Sequence, residues 1–345
     1  MVHRPLRLRL SRQALADNWR FFAARGGVET GAAIKADGYG LGARAVLDTL
    51  YAAGARDFFV ATWSEAAALG ELPEGARLAV LHGLGPDDGQ AASASPARPV
   101  LCSLGQVRRW RAAFGERPCD VMVDSGMNRL GVGGDELDAL EGLDIDTLHS
   151  HLACADDPAH PLNAAQRERF AAARARVRAR RYSLANSAGI LLGPDYAFDL
   201  TRPGIGLYGG APAPGAEAFL SPVVTVETQV LQRRVVRAGE AIGYGATFVA
   251  ERDTPVAILN IGYADGYPRN MSGQGHARWG GTLLPLLGRV SMDLVAADVT
   301  RADEVREGDW LGLDFDVDAI ARASGISAYE VLTGLGSRFA RDWTD

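Results

Sequence analysis

Between residues 31 and 201 the sequence alternates short β-rich runs with stretches rich in Ala, Leu and Arg at helical spacing. That alternation restricts the fold to parallel strands joined by crossover helices. Eight runs can be counted, at 32–35, 57–62, 78–82, 99–103, 120–124, 145–151, 182–185 and 197–201. Helical stretches at 43–53, 106–114 and 163–180 lie between them, the arginines of the last forming its solvated face. Eight βα units predict an α/β fold built on a closed (β/α)8, TIM-like barrel. After Pro222 the texture changes to β-branched alternation at 223–236, 255–261 and 283–299, broken by Gly and Pro, which predicts a C-terminal, mostly β domain. Leu6, Leu8 and Leu10 alternate with Arg7 and Arg9, a pattern suited to an edge of that second domain. The expected division is therefore 1–10 as a strand joining the β domain, 11–221 as barrel and 222–345 as β domain. A chain of 345 residues accommodates a barrel of ~250 residues with a smaller domain attached.

Composition narrows the partners. With 47% hydrophobic and 23% charged residues the chain has material for a packed core. Its apolar runs fall short of the ~20 residues a membrane span needs, and its first ten residues build no secretory signal, so a cytoplasmic protein is expected. A net charge of -6 argues against nucleic acid, whose phosphates require a basic face. Cys102, Cys119 and Cys154 are odd in number with no CxxC spacing, and are expected to be buried thiols in no disulfide.

Of 36 basic residues only Lys35 is a lysine. Arginine serves wherever a cation suffices, but a guanidinium cannot form an ordinary Schiff base and an amine can. Lys35 also ends the first strand and runs into the glycine-rich stretch Gly38-Tyr39-Gly40, and catalytic groups of a βα barrel sit at strand carboxyl ends. The seventh strand ends at Asn186-Ser187 and the eighth at Arg202-Pro203-Gly204-Ile205-Gly206, where barrels often bind phosphate. Ser187, Gly204 and Ile205 are the candidates there, although Ser187 alone also reads as a helix N-cap. His149, His151 and Cys154 share a strand-end segment, but no carboxylate or fourth ligand stands at metal-binding spacing, and no metal is expected. A histidine orienting a neighbouring charge is the better use. The segment 82–86 misplaces the third glycine of a dinucleotide loop and is interrupted by Pro86. In the β domain, Tyr244 and Tyr263 each follow a glycine, which permits close backbone approach to a ligand.

Taken together, the segments 34–40, 122–131, 202–205, 243–247, 262–266 and 288–293 resemble the alanine racemase family of pyridoxal-phosphate enzymes. The resemblance spans nearly the full chain. It implies a barrel with a carboxy-terminal β domain, pyridoxal 5′-phosphate as cofactor, and a head-to-tail homodimer whose active sites use both chains. Lys35 would hold the cofactor and act as the base for the D face. Tyr244 would enter from the partner as the base for the L face. Tyr39, Ser187, Gly204, Ile205 and Tyr329 match residues holding the cofactor phosphate, and Arg202 matches the residue facing the pyridine nitrogen. Arg129 and the backbone amide of Met292 match groups that receive the substrate carboxylate. His151 would link Tyr244 to Arg202, and Tyr263 would stand behind the reacting groups. The implied reaction is interconversion of L-alanine and D-alanine, supplying cell-wall precursor, with serine or another small amino acid as the alternative substrate. One departure is visible: many members carry a carbamylated lysine where this chain has Met122. Arg129, taken as buried, would then need another anion, with chloride the leading candidate and a nearby carboxylate the conservative alternative.

Overall fold

The computed structural model describes residues 3–345. Two compact units emerge, one comprising Leu15–Ser221 and the other joining the amino-terminal residues up to Ala14 to Pro222–Asp345.

In the first unit seven parallel strands pair in chain order: Ala32–Ala33, Asp57–Val60, Arg77–Val80, Arg98–Leu101, Cys119–Met122, Ile145–His149 and Arg181–Ser183. The eighth, Leu200–Thr201, pairs in parallel with Glu29–Thr30 just upstream of the first. Two backbone hydrogen bonds on each of its sides continue the ring. Gly31 N donates to Thr201 O and Ala33 N to Pro203 O, both at 2.9 Å, while Asp199 N donates to Tyr182 O and Arg202 N to Ala185 O, also at 2.9 Å. The barrel is thus TIM-like, with strands shorter than the runs visible in the sequence. At Gly31, a Cβ would lie 2.7 Å from Asp57 O and 2.8 Å from the Phe59 ring. The neighbouring strand approaches too closely for any other residue.

Phe59, Ala79, Val100, Cys102, Met122 and Leu200 form a buried layer of the barrel unit. Each large apolar side chain removed from water there contributes about 1.5–3 kcal/mol. At the amino-terminal ends of the strands, Arg77 reaches Asp57 at 2.6 Å, Arg181 reaches Asp57 at 3.1 Å and Asp146 at 2.6 Å, and Arg98 reaches Asp120 at 2.9 Å. Burial alone would raise the Asp57 carboxyl, but its hydrogen bonds and charge contacts with Arg77 and Arg181 hold it below the ordinary value. The helix expected over 163–180 is Pro161–Arg176. It stops because Val177 turns extended and is buried; Arg174, Arg176, Arg178 and Arg180 are exposed, as expected of a solvated face, while Arg181 just beyond them enters the next strand and joins the ion network.

The second unit is an eight-stranded sheet in the order Thr254–Leu259, Val295–Asp298, Thr282–Leu287, His276–Trp279, Trp310–Leu313, Val224–Val236, Leu6–Ser11 and Ala340–Thr344. Val224–Val236 also pairs with Thr254–Leu259, so the long strand serves three neighbours: Thr254–Leu259, Trp310–Leu313 and Leu6–Ser11. Leu6–Ser11 lies antiparallel to it, Leu6 opposite Thr228 and Leu10 opposite Val224, with Leu6, Leu8 and Leu10 buried and Arg7 and Arg9 paired to Glu227. The β run expected over 283–299 is two strands, split by a turn that starts at Gly288 (φ 69°) and carries Met292. Among the described residues, no helix is long and apolar enough to cross a membrane.

Candidate active site

The barrel side of the site starts from strand Ala32–Ala33. Ile34 N still donates to Phe59 O at 2.8 Å, and Lys35 follows as the chain leaves the sheet. Ala36, Asp37 and Tyr39 then take φ values of 53–54°, and Gly38 takes 62°. A left-handed turn of non-glycine residues costs roughly 1–2 kcal/mol per residue, so something must hold it. Gly38 N donates to Ile34 O (2.9 Å), Gly40 N to Ala36 O (2.8 Å) and Gly42 N to Asp37 O (2.8 Å). Glu65 stitches the turn to the next strand, one carboxylate oxygen accepting Ala36 N at 2.8 Å and the other Ala61 N at 2.6 Å. Burial lowers the pKa of the Lys35 amine, the Arg129 charge lowers it further, and Glu65 opposes both.

Tyr39 is buried and stacks on Tyr208 with ring centres 4.4 Å apart. Gly204 lies against its hydroxyl: a Cβ at 204 would meet Tyr39 Oη at 2.4 Å. Ser187 Oγ accepts the Gly204 amide at 2.8 Å and the Gly206 amide at 3.4 Å, with Ile205 buried between them. The N-cap reading of Ser187 is corrected, since Asn186 is the cap, its Oδ1 accepting Gly189 N at 2.8 Å, and Ser187 is free of that duty as the first helical residue. Tyr39, Ser187, Gly204 and Ile205 are therefore brought together.

Arg202 is buried and donates to Ser183 Oγ, to Ser150 O and, at 3.4 Å, to Leu184 O. Burial pushes its pKa down to about 10 while the Asp120 charge opposes the fall, so the guanidinium keeps its charge at neutral pH. His151 is pushed down to about 3, chiefly by burial and then by the charges of Arg202, Arg129 and Lys35, which leaves it a neutral ring. Its Nε2 lies 3.5 Å from Asn186 Nδ2. His149 belongs to a different setting: fully buried, its Nε2 3.4 Å from Asp120, its pKa pushed down to about 4 by burial.

Arg129 differs from expectation. It is exposed, at the end of a turn in which Asp124 Oδ1 accepts the amides of Gly126, Met127 and Asn128 at 2.8, 3.0 and 3.1 Å. Met122 lies in the apolar layer. Solvent stabilises an exposed guanidinium, so the argument for a resident chloride loses its premise in this chain. Cys154 is also only partly buried, unlike Cys102 and Cys119.

The β-unit candidates sit on short turns. Tyr244 is 72% exposed between Gly243 (φ 73°) and Gly245 (φ 71°). Tyr263 is 44% exposed, Met292 53%, and Tyr329, on helix Ala328–Thr333, 49%. Two of these turns are joined by backbone: Tyr263 N donates to Ser291 O and Ala264 N to Met292 O, each at 3.0 Å. A Cβ at Gly262 would lie 2.3 Å from both carbonyl oxygens, so glycine is required there. Among the described residues, no group of three His, Cys, Asp or Glu side chains is placed to hold a metal ion.

Residues 10–212 match the family description alanine racemase, N-terminal domain, and residues 223–343 match alanine racemase, C-terminal domain. The chain belongs to the alanine racemase family. The alanine racemase of Acidiphilium cryptum is 44% identical over 341 residues, covering 95% of this chain and 96% of its own length. That of Rhizobium meliloti is 43% identical over 364 residues, covering 98% and 96%. The crystal structure of alanine racemase from Bartonella henselae, which carries covalently bound pyridoxal phosphate, superposes with a TM-score of 0.90 at 35% identity and covers 99% of each chain. Sequence reasoning reached the residues that carry the family motifs. It missed Glu65 and Ser183, whose contacts form only once distant segments meet, and the local roles of Asn186 as helix cap and Asp124 as acceptor of three nearby amides.

Proposed function

We propose that this chain interconverts L-alanine and D-alanine by a two-base reaction, with pyridoxal 5′-phosphate held by Lys35. The observation that carries the proposal is the placement of the chain's only lysine: it leaves the first barrel strand at a fixed, left-handed turn with a depressed pKa, and that same turn supplies Tyr39 to the Ser187–Gly204 cradle. The cofactor fits these residues. Gly204 leaves room against Tyr39 Oη that a Cβ would fill, and Ser187 Oγ with the Gly204 and Ile205 backbone would hold the phosphate, joined by Tyr329. Pyridoxal phosphate, when bound, withdraws electrons from the amino acid's Cα and so acidifies its C–H bond.

The chain's residues then move and steer the proton. Lys35 Nζ, its protonated form disfavoured by burial and by Arg129, accepts or returns the Cα proton on the face that produces D-alanine. Tyr244 serves the opposite face from a second copy of the chain, and the exposure of its phenol supports that reading. Arg202, buried yet charged, would face the pyridine nitrogen and keep it unprotonated, which limits charge build-up and suits plain proton return. Arg129 and the Met292 amide receive the substrate carboxylate. Neutral His151 orients its neighbours between Arg202 and Tyr244, and Tyr263 backs the Met292 turn. The working assembly is a cytoplasmic homodimer supplying D-alanine for the cell wall. Incubating the cofactor-loaded protein with L-alanine and with L-serine separately, and resolving products by chiral chromatography, tests the reading. Racemic alanine is expected, and no D-alanine after prolonged incubation overturns it.

A further inference from the structure

Two motif turns of the β unit end in aspartates, and one arginine far along the chain holds both. Arg338 Nε donates to Asp265 Oδ1 at 2.6 Å, and its Nη1 donates to Asp293 Oδ1 at 2.7 Å, across 73 and 45 residues of sequence. Asp265 is buried, and its second oxygen accepts the Gly262 amide at 3.0 Å. Its backbone carbonyl accepts Gly336 N at 3.2 Å, so the segment before Arg338 is tied to the same turn. Asp293 directly follows Met292 and is half-exposed.

An exposed Arg–Asp pair contributes little stability, because solvent screens it and two long side chains must be ordered. Here that ordering is already done: the buried Asp265 carboxylate requires a counter-charge and fixes the guanidinium, so the second arm meets Asp293 with little further loss of freedom. We infer that Arg338 is a positioning residue for the substrate-carboxylate site: with Asp265 and Asp293 it clamps the Tyr263 turn to the Met292 turn and fixes the direction of the Met292 amide. Two backbone bonds join the turns in any case, so the clamp sets their precision while the bonds set their pairing. An amide that receives a carboxylate loses effect when it is free to swing, because donors must be fixed before the ligand arrives. The inference rests on the proposed role of Met292.

The test uses the full-length, cofactor-loaded protein as Arg338→Met, Arg338→Lys and Asp293→Asn. Amide hydrogen exchange is followed in segments 260–267 and 289–295, and alanine KM and kcat are measured with the inhibition constant of propionate, a carboxylate without an amine. Loss of one charge-assisted bond should raise exchange in 289–295 and raise both KM and the propionate constant by about three- to tenfold, with kcat nearly unchanged. Arg338→Lys should recover part of each. Asp293→Asn removes only an exposed carboxylate, so it remains informative if Arg338→Met fails to fold. Wild-type exchange in 289–295 for Asp293→Asn overturns the clamp. Faster exchange with unchanged propionate affinity upholds the clamp and overturns the carboxylate role of Met292.

Discussion

The barrel unit and the β unit bring their candidate groups to the chemistry in opposite ways. In the barrel, Tyr39, Ser187, Gly204 and Arg202 are buried and already hydrogen-bonded or stacked to one another or to close neighbours, and Lys35 stands on a turn tied down by Glu65. In the β unit, Tyr244, Tyr263, Met292 and Tyr329 all stand 44–72% exposed on turns or a short helix. The barrel half is pre-organised by its own chain, whereas the β half presents exposed groups whose setting, in the proposed homodimer, a second copy would complete.

The largest effect should follow from the barrel's amine. Lys35→Ala removes both the anchoring amine and a base, so activity should fall by about 10⁴-fold or more. Borohydride treatment of the wild-type protein should leave cofactor label on the Lys35 peptide. Label on no lysine peptide would undo the anchoring role. Tyr244→Phe tests the other half, and should slow exchange of the L-alanine Cα proton by about 10²- to 10³-fold while leaving cofactor absorbance intact, since only an exposed hydroxyl is lost. The two variants together probe the contrast itself. Mixed and allowed to exchange subunits, they should regain activity, because a mixed dimer holds one site with both bases. Inactive mixed dimers, once demonstrated to form, would place both bases on one chain.

A smaller effect is expected in the cradle. Ser187→Ala deletes the acceptor of the Gly204 and Gly206 amides without touching the bases, so cofactor affinity should fall about tenfold and kcat at saturating cofactor should change little. Unchanged affinity in a cofactor titration would detach Ser187 from the phosphate.

What could be read from the sequence follows the same divide. The barrel was legible because strand and helix periods alternate, and Lys35 because it is unique in a chain otherwise furnished with arginine. The left-handed turn at 36–39 was not, since Ala36 and Tyr39 are poor indicators of positive φ, and the turn is held by Glu65 from another βα unit. The stop at Arg176 was hidden by an arginine run in which a surface helix and an ion-paired strand look alike until Asp57 and Asp146 arrive from elsewhere. The exposure of Arg129 was misjudged because motif spacing carries no information about depth.

The last and smallest effect concerns acid stability, where the barrel should be the weaker unit. His149 and His151 are held neutral by burial, with pKa values pushed from 6.5 down to about 4 and about 3. Below pH 6.5 the unfolded chain binds protons at both rings and the folded barrel does not. The unfolded state thus holds more protons, and stability declines as pH falls from 6.5 toward 4. The Asp57 and Asp146 carboxyls, lowered from 3.8, add their loss only below about that value. Between pH 6.5 and 4.5 the slope should therefore belong to the histidines. His149→Gln keeps a donor near Asp120 but removes one titrating ring, so its unfolding free energy should fall about half as steeply with pH as the wild type's, at some cost in stability at pH 7. Urea unfolding at several pH values measures both slopes, and hydrogen exchange resolved by segment reports which unit opens first. Parallel slopes for the two proteins, or earlier opening of the β unit, would remove the buried imidazoles as the source of acid sensitivity and leave the barrel's rigidity to its strand-end ion pairs.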